Sequence, residues 1–171
     1  MLLNKLKTYI FTLLSTFLGI GFFPFMSGTV ASITIAIIWW LVPDYYFYNP
    51  IEKIIYFDSF FYFSIVLVIF SLISVYISSI SERKFGHDAS CIVIDEVVGY
   101  LFAVIFLPKT IMITIYALIL FRIFDISKPL FINKLQNLPG GWGIVFDDIA
   151  AGIASNIILQ ILLLIKPEFF K

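Results

Sequence analysis

The sequence predicts an all-α fold: a polytopic helical bundle integral to a membrane, with about five crossings and an N-terminal re-entrant or interfacial helix. Three observations carry that expectation. Of 171 residues, 61% are hydrophobic and only 13% are charged, where a soluble domain holds roughly 45–50% and about 25%. Mean hydropathy is +1.06. The apolar residues also fall in long uncharged runs, broken by proline, glycine and charge. A soluble globule of this size would leave much of that surface in water; a bilayer accepts it. The same composition excludes a disordered chain, a collagen-like chain and a soluble nucleic-acid binder. One domain, residues 1–171, is expected at this length. Eleven basic and eleven acidic residues cancel, so no net field draws in an acidic partner. Cys91 is the single cysteine, which rules out an intramolecular disulfide.

The N-terminal segment is mildly basic and leads straight into apolar sequence, so it reads as retained rather than cleaved. Thr8 to Pro43 carries no charge over 36 residues. As one helix that is roughly 54 Å, too long for a simple crossing. Pro24 and Ser27-Gly28 split it into two pieces, Ile10 to Phe23 and Thr29 to Val42. Ser59 to Ser81 is an uninterrupted run of 23 uncharged residues and reads as the clearest span. Ile92 to Leu107 is apolar except for Asp95 and Glu96, and Pro108-Lys109 closes it. Another run starts at Thr110. Ile149 to Ile165 adds 17 residues before Lys166-Pro167.

If the N-terminal end is cytoplasmic and the first piece is interfacial, crossings fall at about 29–43, 56–80, 92–107, 110–124 and 148–165. Lys5, Lys7, Arg83, Lys84, Arg122, Lys128 and Lys134 then face the cytoplasm, against Lys53, Lys109, Lys166 and Lys171 outside. Seven against four agrees with the positive-inside rule. Every polar cluster falls on the same cytoplasmic boundary.

Acids in such a chain ask for a reason. Each carboxylate at a membrane helix centre costs about 2.5–3.5 kcal/mol, and two together on the order of 5–7 kcal/mol. With Ser90 as cap, Asp95 and Glu96 would sit in a second helical turn near the interface. They are read as functional, the alternative being a pair facing water or cations. Arg122, Asp125 and Lys128 recur every three residues and share a helix face; Pro129 should end that helix near Ser127. Their alternative is cations complementing a helix C-terminus. One of Asp147 and Asp148 serves as an N-cap, and the second needs another task. Ala150, Ala151, Gly152, Ala154 and Ser155 read as a packing face. Pro139-Gly-Gly-Trp-Gly143 is a loop with a weak claim to cradle phosphate. His87 reads as a solvated loop histidine.

Five carboxylates (Asp95, Glu96, Asp125, Asp147 and Asp148) converging on one face form a hard-oxygen set suited to Mg²⁺. Arg122 and Lys128 are suited to a phosphate. Phosphoryl transfer or phosphate-ester hydrolysis fits this combination. Other phosphatase chemistries do not. The position of the arginine in a C-x5-R loop after Cys91 is Val97, one histidine is too few for a histidine phosphatase, and the aspartate-nucleophile, CDP-alcohol and Walker patterns are missing.

The blocks Gly28-Thr-Val-Ala-Ser32, Ile94-Asp-Glu-Val-Val-Gly99, Phe121-Arg-Ile-Phe-Asp-Ile-Ser-Lys-Pro129 and Gly140-Gly-Trp-Gly-Ile-Val-Phe-Asp-Asp-Ile-Ala-Ala-Gly152 resemble the phosphatidylglycerophosphatase A family, from about Gly19 to Ile165. The resemblance implies a largely helical, Mg²⁺-dependent enzyme of the bacterial inner membrane, and the uncharged runs and charge count above make it multi-pass with its site on the cytoplasmic face. It would release the terminal phosphate of phosphatidylglycerophosphate to give phosphatidylglycerol. The resemblance marks Thr29, Ser32, Asp95, Glu96, Gly99, Arg122, Asp125, Lys128, Pro129, Asp147, Asp148 and Gly152. The expected catalytic residues are Asp95, Glu96, Asp125 and Asp148. The expected phosphate-binding residues are Arg122, Lys128, Thr29 and Ser32, with the five acids around one or two Mg²⁺ ions. The stretch Gly86-His-Asp-Ala-Ser-Cys departs from the family pattern and weakens any catalytic role for His87. The nucleophile stays open between a carboxylate-activated water, a metal-bound water and a covalent aspartyl-phosphate. Two competing readings remain, a small cation transporter lined by acids and a non-catalytic assembly subunit. A phosphatase for another phospholipid monoester is a third.

Overall fold

The computed structural model describes residues 2–42, 48–49, 54–55, 57–86 and 88–166; His87 and Lys53 lie outside them. These residues form seven α-helices. They are α1 (Leu2–Ser15), α2 (Ser27–Leu41), α3 (Phe57–Phe85), α4 (Ile94–Val104), α5 (Ile111–Ser127), α6 (Leu130–Gln136) and α7 (Gly141–Ile165). A 3-10 turn, Ile20–Phe22, precedes α2, and a two-residue antiparallel ladder pairs Tyr48 with Ile55 and Asn49 with Ile54.

The helical class agrees with the sequence; the number of crossings does not follow so directly. Among the described residues, Phe61–Phe85 and Gly141–Ile165 are long and apolar enough to cross a bilayer. By contrast α4 has 11 residues, about 16 Å of helix against a hydrocarbon core of roughly 30 Å. It stops where Ile105 turns extended, ψ 139°, and Phe106 beyond it takes a left-handed conformation, φ +63°. Five full crossings are therefore not carried by helix length. Only a third of the most apolar window of α3 is buried. Leu41, Val66, Leu164 and Ile165 stand exposed, so apolar flanks face outward, consistent with membrane association.

Short α4 is the centre of the bundle. It packs most extensively on α7 and also touches α2, α3 and α5. Its Val97, Tyr100 and Ala103 are buried and cluster with Phe121 and Ala117 of α5 and with Ala151 and Leu159 of α7, while Val98 packs against Val75 of α3 and Val145 of α7. A helix surrounded on all sides needs no polar face, which is why its pattern shows none beyond the two acids. Close contact with α7 depends on Gly152. A Cβ there would collide with the Gly99 carbonyl and come within 3.0 Å of the Phe102 Cβ.

Residues 10–23, expected as one piece, divide. Helix α1 ends at Ser15, and Phe17, Leu18 and Gly19 reverse the chain with positive φ. The Ser15 carbonyl accepts a hydrogen bond from Val93 N–H at 2.9 Å, just before α4. Helix α1 packs on the C-terminal part of α3, with Phe11 edge-on to Tyr76. At the other end of the bundle Lys109 Nζ donates to the Trp40 carbonyl at 3.1 Å and to the Val42 carbonyl. It thereby satisfies carbonyls that the end of α2 leaves open.

Candidate active site

Three helix ends meet at one end of the bundle. The turn before α4 is fixed by Ser27 Oγ, which donates to the Ser90 carbonyl at 2.5 Å. Ser90 is therefore not the helix cap that the sequence led us to expect. The helix begins after Val93, and Asp95 and Glu96 occupy its first turn, where the amide dipoles favour negative charge. Helix α7 likewise starts earlier than expected, at Gly141, so Asp147 and Asp148 lie about two turns into it and neither is an N-cap. Gly141 N–H donates to Ser79 Oγ at 2.9 Å, which leaves the glycine-rich segment a helix start rather than a phosphate cradle. The last turns of α5 supply Arg122 and Asp125. Lys128 follows in a left-handed conformation, φ +40°, ending the helix where Pro129 required.

Asp95, Glu96 and Asp148 each offer an oxygen, and these oxygens lie within 4.8 Å of one another. Asp95 and Asp148 are 5% and 3% exposed. Asp95 Oδ1, Glu96 Oε2 and Asp148 Oδ2 are buried without a hydrogen-bond partner. Asp125 adjoins Asp148 and accepts from Arg122 at 2.5 Å. The same Arg122 nitrogen stands 4.0 Å from Glu96 Oε1, while its Nε is buried and unpartnered. Thr29 Oγ1, on the first turn of α2, is also buried and unpartnered.

Asp147 is set apart. Consecutive helical residues point about 100° away from each other, so Asp148 faces the acid cluster and Asp147 faces Lys128. Lys128 Nζ lies 2.7 Å from Asp147 Oδ2 and 3.7 Å from Asp88. Burial works against the Lys128 charge, but the hydrogen bond and charge of Asp147, backed by Asp88 and Asp148, outweigh it and hold the amine above its ordinary value. Ser32 donates to the Gly28 carbonyl at 2.8 Å, so its proton is engaged within α2.

Of the five acids expected together, three thus form the closest group, Asp125 stands beside them with Arg122, and Asp147 is paired with Lys128. Two contributors were not among the expected site residues. Gly28 passes so close to the cluster that a Cβ would collide with the Glu96 carboxylate and lie 3.1 Å from Arg122. Asp88 holds Lys128 and Gln136. Gly28 stood next to the expected Thr29; Asp88 carried no signal beyond its charge.

The cluster fits a divalent cation on its own chemistry. Five carboxylates against two cations leave three negative charges in excess. Buried carboxylates without compensation cost several kcal/mol each, on the order given by desolvation. Orphaned hard oxygens at mutual ligand distance are the donor set a small divalent ion takes.

The description of the phosphatidylglycerophosphatase A family matches residues 13–163 of the chain. The chain belongs to this family. It is accordingly a phosphatase. A Bacteroides thetaiotaomicron protein named "Putative phosphatidylinositol-3-phosphatase" is 32% identical over 160 residues, covering 92% of this chain and 96% of its own length. The Escherichia coli protein named phosphatidylglycerophosphatase A is 31% identical over 150 residues, covering 86% of this chain and 80% of its own. No solved structure matches. The matched range of the family contains all three helix ends that build the acid cluster.

Proposed function

We propose that the chain, as a single unit over residues 1–171, hydrolyses the terminal phosphate of phosphatidylglycerophosphate to phosphatidylglycerol in phospholipid biosynthesis, with Mg²⁺ as cofactor. The carrying observation is the trio of buried, unpartnered carboxylate oxygens on Asp95, Glu96 and Asp148 beside Arg122. Membrane placement rests on α3 and α7 as spanning segments, with α1 lying at the interface. Lys7, Arg83, Lys84, Arg122 and Lys128 then put the acid end in the cytoplasm of a bacterial inner membrane.

In this reading Asp95, Glu96 and Asp148 hold Mg²⁺, with Asp125 and Asp147 completing the surrounding acid group. When bound, the ion offsets their charge and draws electron density from the phosphate. Arg122 and Lys128 neutralise phosphate oxygens, and Thr29 Oγ1 donates a hydrogen bond to one of them. Ser32 keeps the start of α2 in place through Gly28. One of Asp95, Glu96, Asp125 and Asp148 accepts a proton as water oxygen bonds to phosphorus. The bond from phosphorus to the glycerol oxygen breaks, and that oxygen takes up a proton.

Purified protein in mixed micelles tests this directly. Phosphate release from phosphatidylglycerophosphate should require Mg²⁺ and stop in excess chelator; undiminished release in chelator overturns the metal assignment. The Bacteroides relative's name favours one second reading, a phosphoinositide monoester as substrate. Phosphatidylinositol 3-phosphate in the same assay decides between them, the preferred substrate being the one with the higher kcat/KM. Cation flux in liposomes without phosphate release would support the transporter reading instead.

A further inference from the structure

A cavity with cations and hydroxyls on a largely apolar lining lies away from the acid cluster. It sits between α1 and the C-terminal turns of α3 and has a volume of about 610 Å³, within the roughly 300–1,000 Å³ of small-molecule sites. Lys7, Arg83 and Lys84 line it, together with the hydroxyls of Thr8, Thr12 and Ser81. No carboxylate is among its lining residues. Glu82, next in sequence, is directed toward Gly140 at the start of α7. None of the acid-cluster residues borders this cavity.

We propose that this cavity holds the phosphate of an anionic phospholipid at a site separate from the acid cluster, a bound lipid that docks α1 onto α3. Donors converge there from two separate elements. Lys84 Nζ reaches across from α3 to Thr12 Oγ1 of α1 at 2.8 Å. Ser81 Oγ is buried, 3% exposed, and has no hydrogen-bond partner. An unmet buried hydroxyl costs about 1–3 kcal/mol, and a phosphate oxygen is the acceptor the neighbouring cations would bring to it. The apolar rim favours a lipid over free phosphate. Phe11 and Ile80 line the cavity, and Tyr76 and Leu14 stand exposed on the same two helices, where acyl chains would lie. Basic pockets between helices at the cytoplasmic boundary recognise anionic headgroups in this manner.

The inference rests on the membrane placement above but not on the catalytic assignment. The test is native mass spectrometry of the full-length protein after delipidation, titrated with dioleoyl phosphatidylglycerol, dioleoyl phosphatidylcholine or inorganic phosphate, in excess chelator. The parent should retain one phosphatidylglycerol in preference to phosphatidylcholine. R83Q/K84Q should weaken that retention about 25-fold and K7Q about fivefold, at about 1 kcal/mol per cation. D148N should retain the lipid like the parent. Phosphatase assays on the same variants keep the two readings separable, because loss of phosphate release in D148N bears on the acid cluster alone. Equal retention in parent and R83Q/K84Q overturns the proposal. So does binding of inorganic phosphate that competes the lipid away, since the site would then serve free phosphate. All three lining cations protrude into water, so K7Q tests the cavity without disturbing the core.

Discussion

The α-carbon of Gly28 and the carboxylate of Glu96 lie so close that a single methyl group cannot stand between them. This contact joins the first turn of α2 to the first turn of α4. It also places Gly28 within reach of Arg122, so one backbone position limits both an acid and a cation of the site.

Replacing Gly28 by alanine separates site geometry from helix stability. Alanine is the better helix former by about 1 kcal/mol, so α2 itself gains. The added carbon meets Glu96 Cδ at 2.9 Å and Arg122 at 3.1 Å, and one of them must move. A displacement near 1 Å costs about a hundredfold in rate. We expect G28A to insert and unfold like the parent while kcat/KM for phosphate release falls about a hundredfold. Full activity would mean that Glu96 has no positional role.

The acid cluster makes opposite predictions for activity and stability. D95N, E96Q and D148N each remove a charge from a buried, under-compensated group. Turnover should be lost, yet without metal each variant should melt above the parent, by about 1–3 kcal/mol in stability. Each should also lose most of the increase in melting temperature that Mg²⁺ confers on the parent. Thermal unfolding with and without Mg²⁺ reads both effects. Variants as active as the parent would remove these acids from the site.

Lys128 and Asp147 form a pair whose members fail separately. K128M strands a carboxylate that is 3% exposed and should destabilise by about 3–5 kcal/mol, whereas K128M/D147N should recover much of that loss. A double-mutant cycle in denaturant measures the coupling. The pH dependence has a definite sign. The folded amine titrates above its ordinary value of 10.5, so the amine's contribution is present in full from neutral pH up to that value. It is lost only as pH rises through the higher folded value. A parent melting curve that falls with alkaline pH, and a K128M/D147N curve that falls less, would show it.

Gly152 carries the α4–α7 contact. G152A drives a methyl group into the Gly99 carbonyl and toward Phe102, which should cost about 1–3 kcal/mol by overpacking. Because Asp148 lies one turn away, activity should fall as well, and thermal unfolding with phosphate release measures both. A G152A protein with parental stability would mean that α4 and α7 have room to separate.

Much of this was legible in the residues. Adjacent acids in an apolar run marked Asp95 and Glu96, and Pro129 located the end of α5. The repeat of Arg122, Asp125 and Lys128 put them on one face. Less legible was the division between Asp147 and Asp148, because charge alone does not say which way each side chain turns. The early starts of α7 and the late start of α4 were hidden for a tertiary reason. Gly141 meets Ser79, and Ser90 is held by Ser27, and both partners lie more than 60 residues away. Helix α6 went unread because Pro129 signals an end more plainly than the new start it also permits. The count of crossings was not legible because apolar composition does not distinguish a helix buried among neighbours, such as α4, from one that faces lipid.

The seating of Gly141 against α3 governs more than a turn. A Cβ on Gly141 would collide with the Val75 carbonyl and crowd Ser79, so this end of α7 has a fixed azimuth. Six residues on, that azimuth decides which aspartate looks inward. One residue inserted between Gly143 and Asp147 would advance each acid by about 100°, turning Asp147 toward the acid cluster, carrying Asp148 past it and leaving Phe146 opposite Lys128. The spacing from glycine to aspartate therefore works as a ruler, and its length is as much a part of the chemistry as the carboxylates it aims.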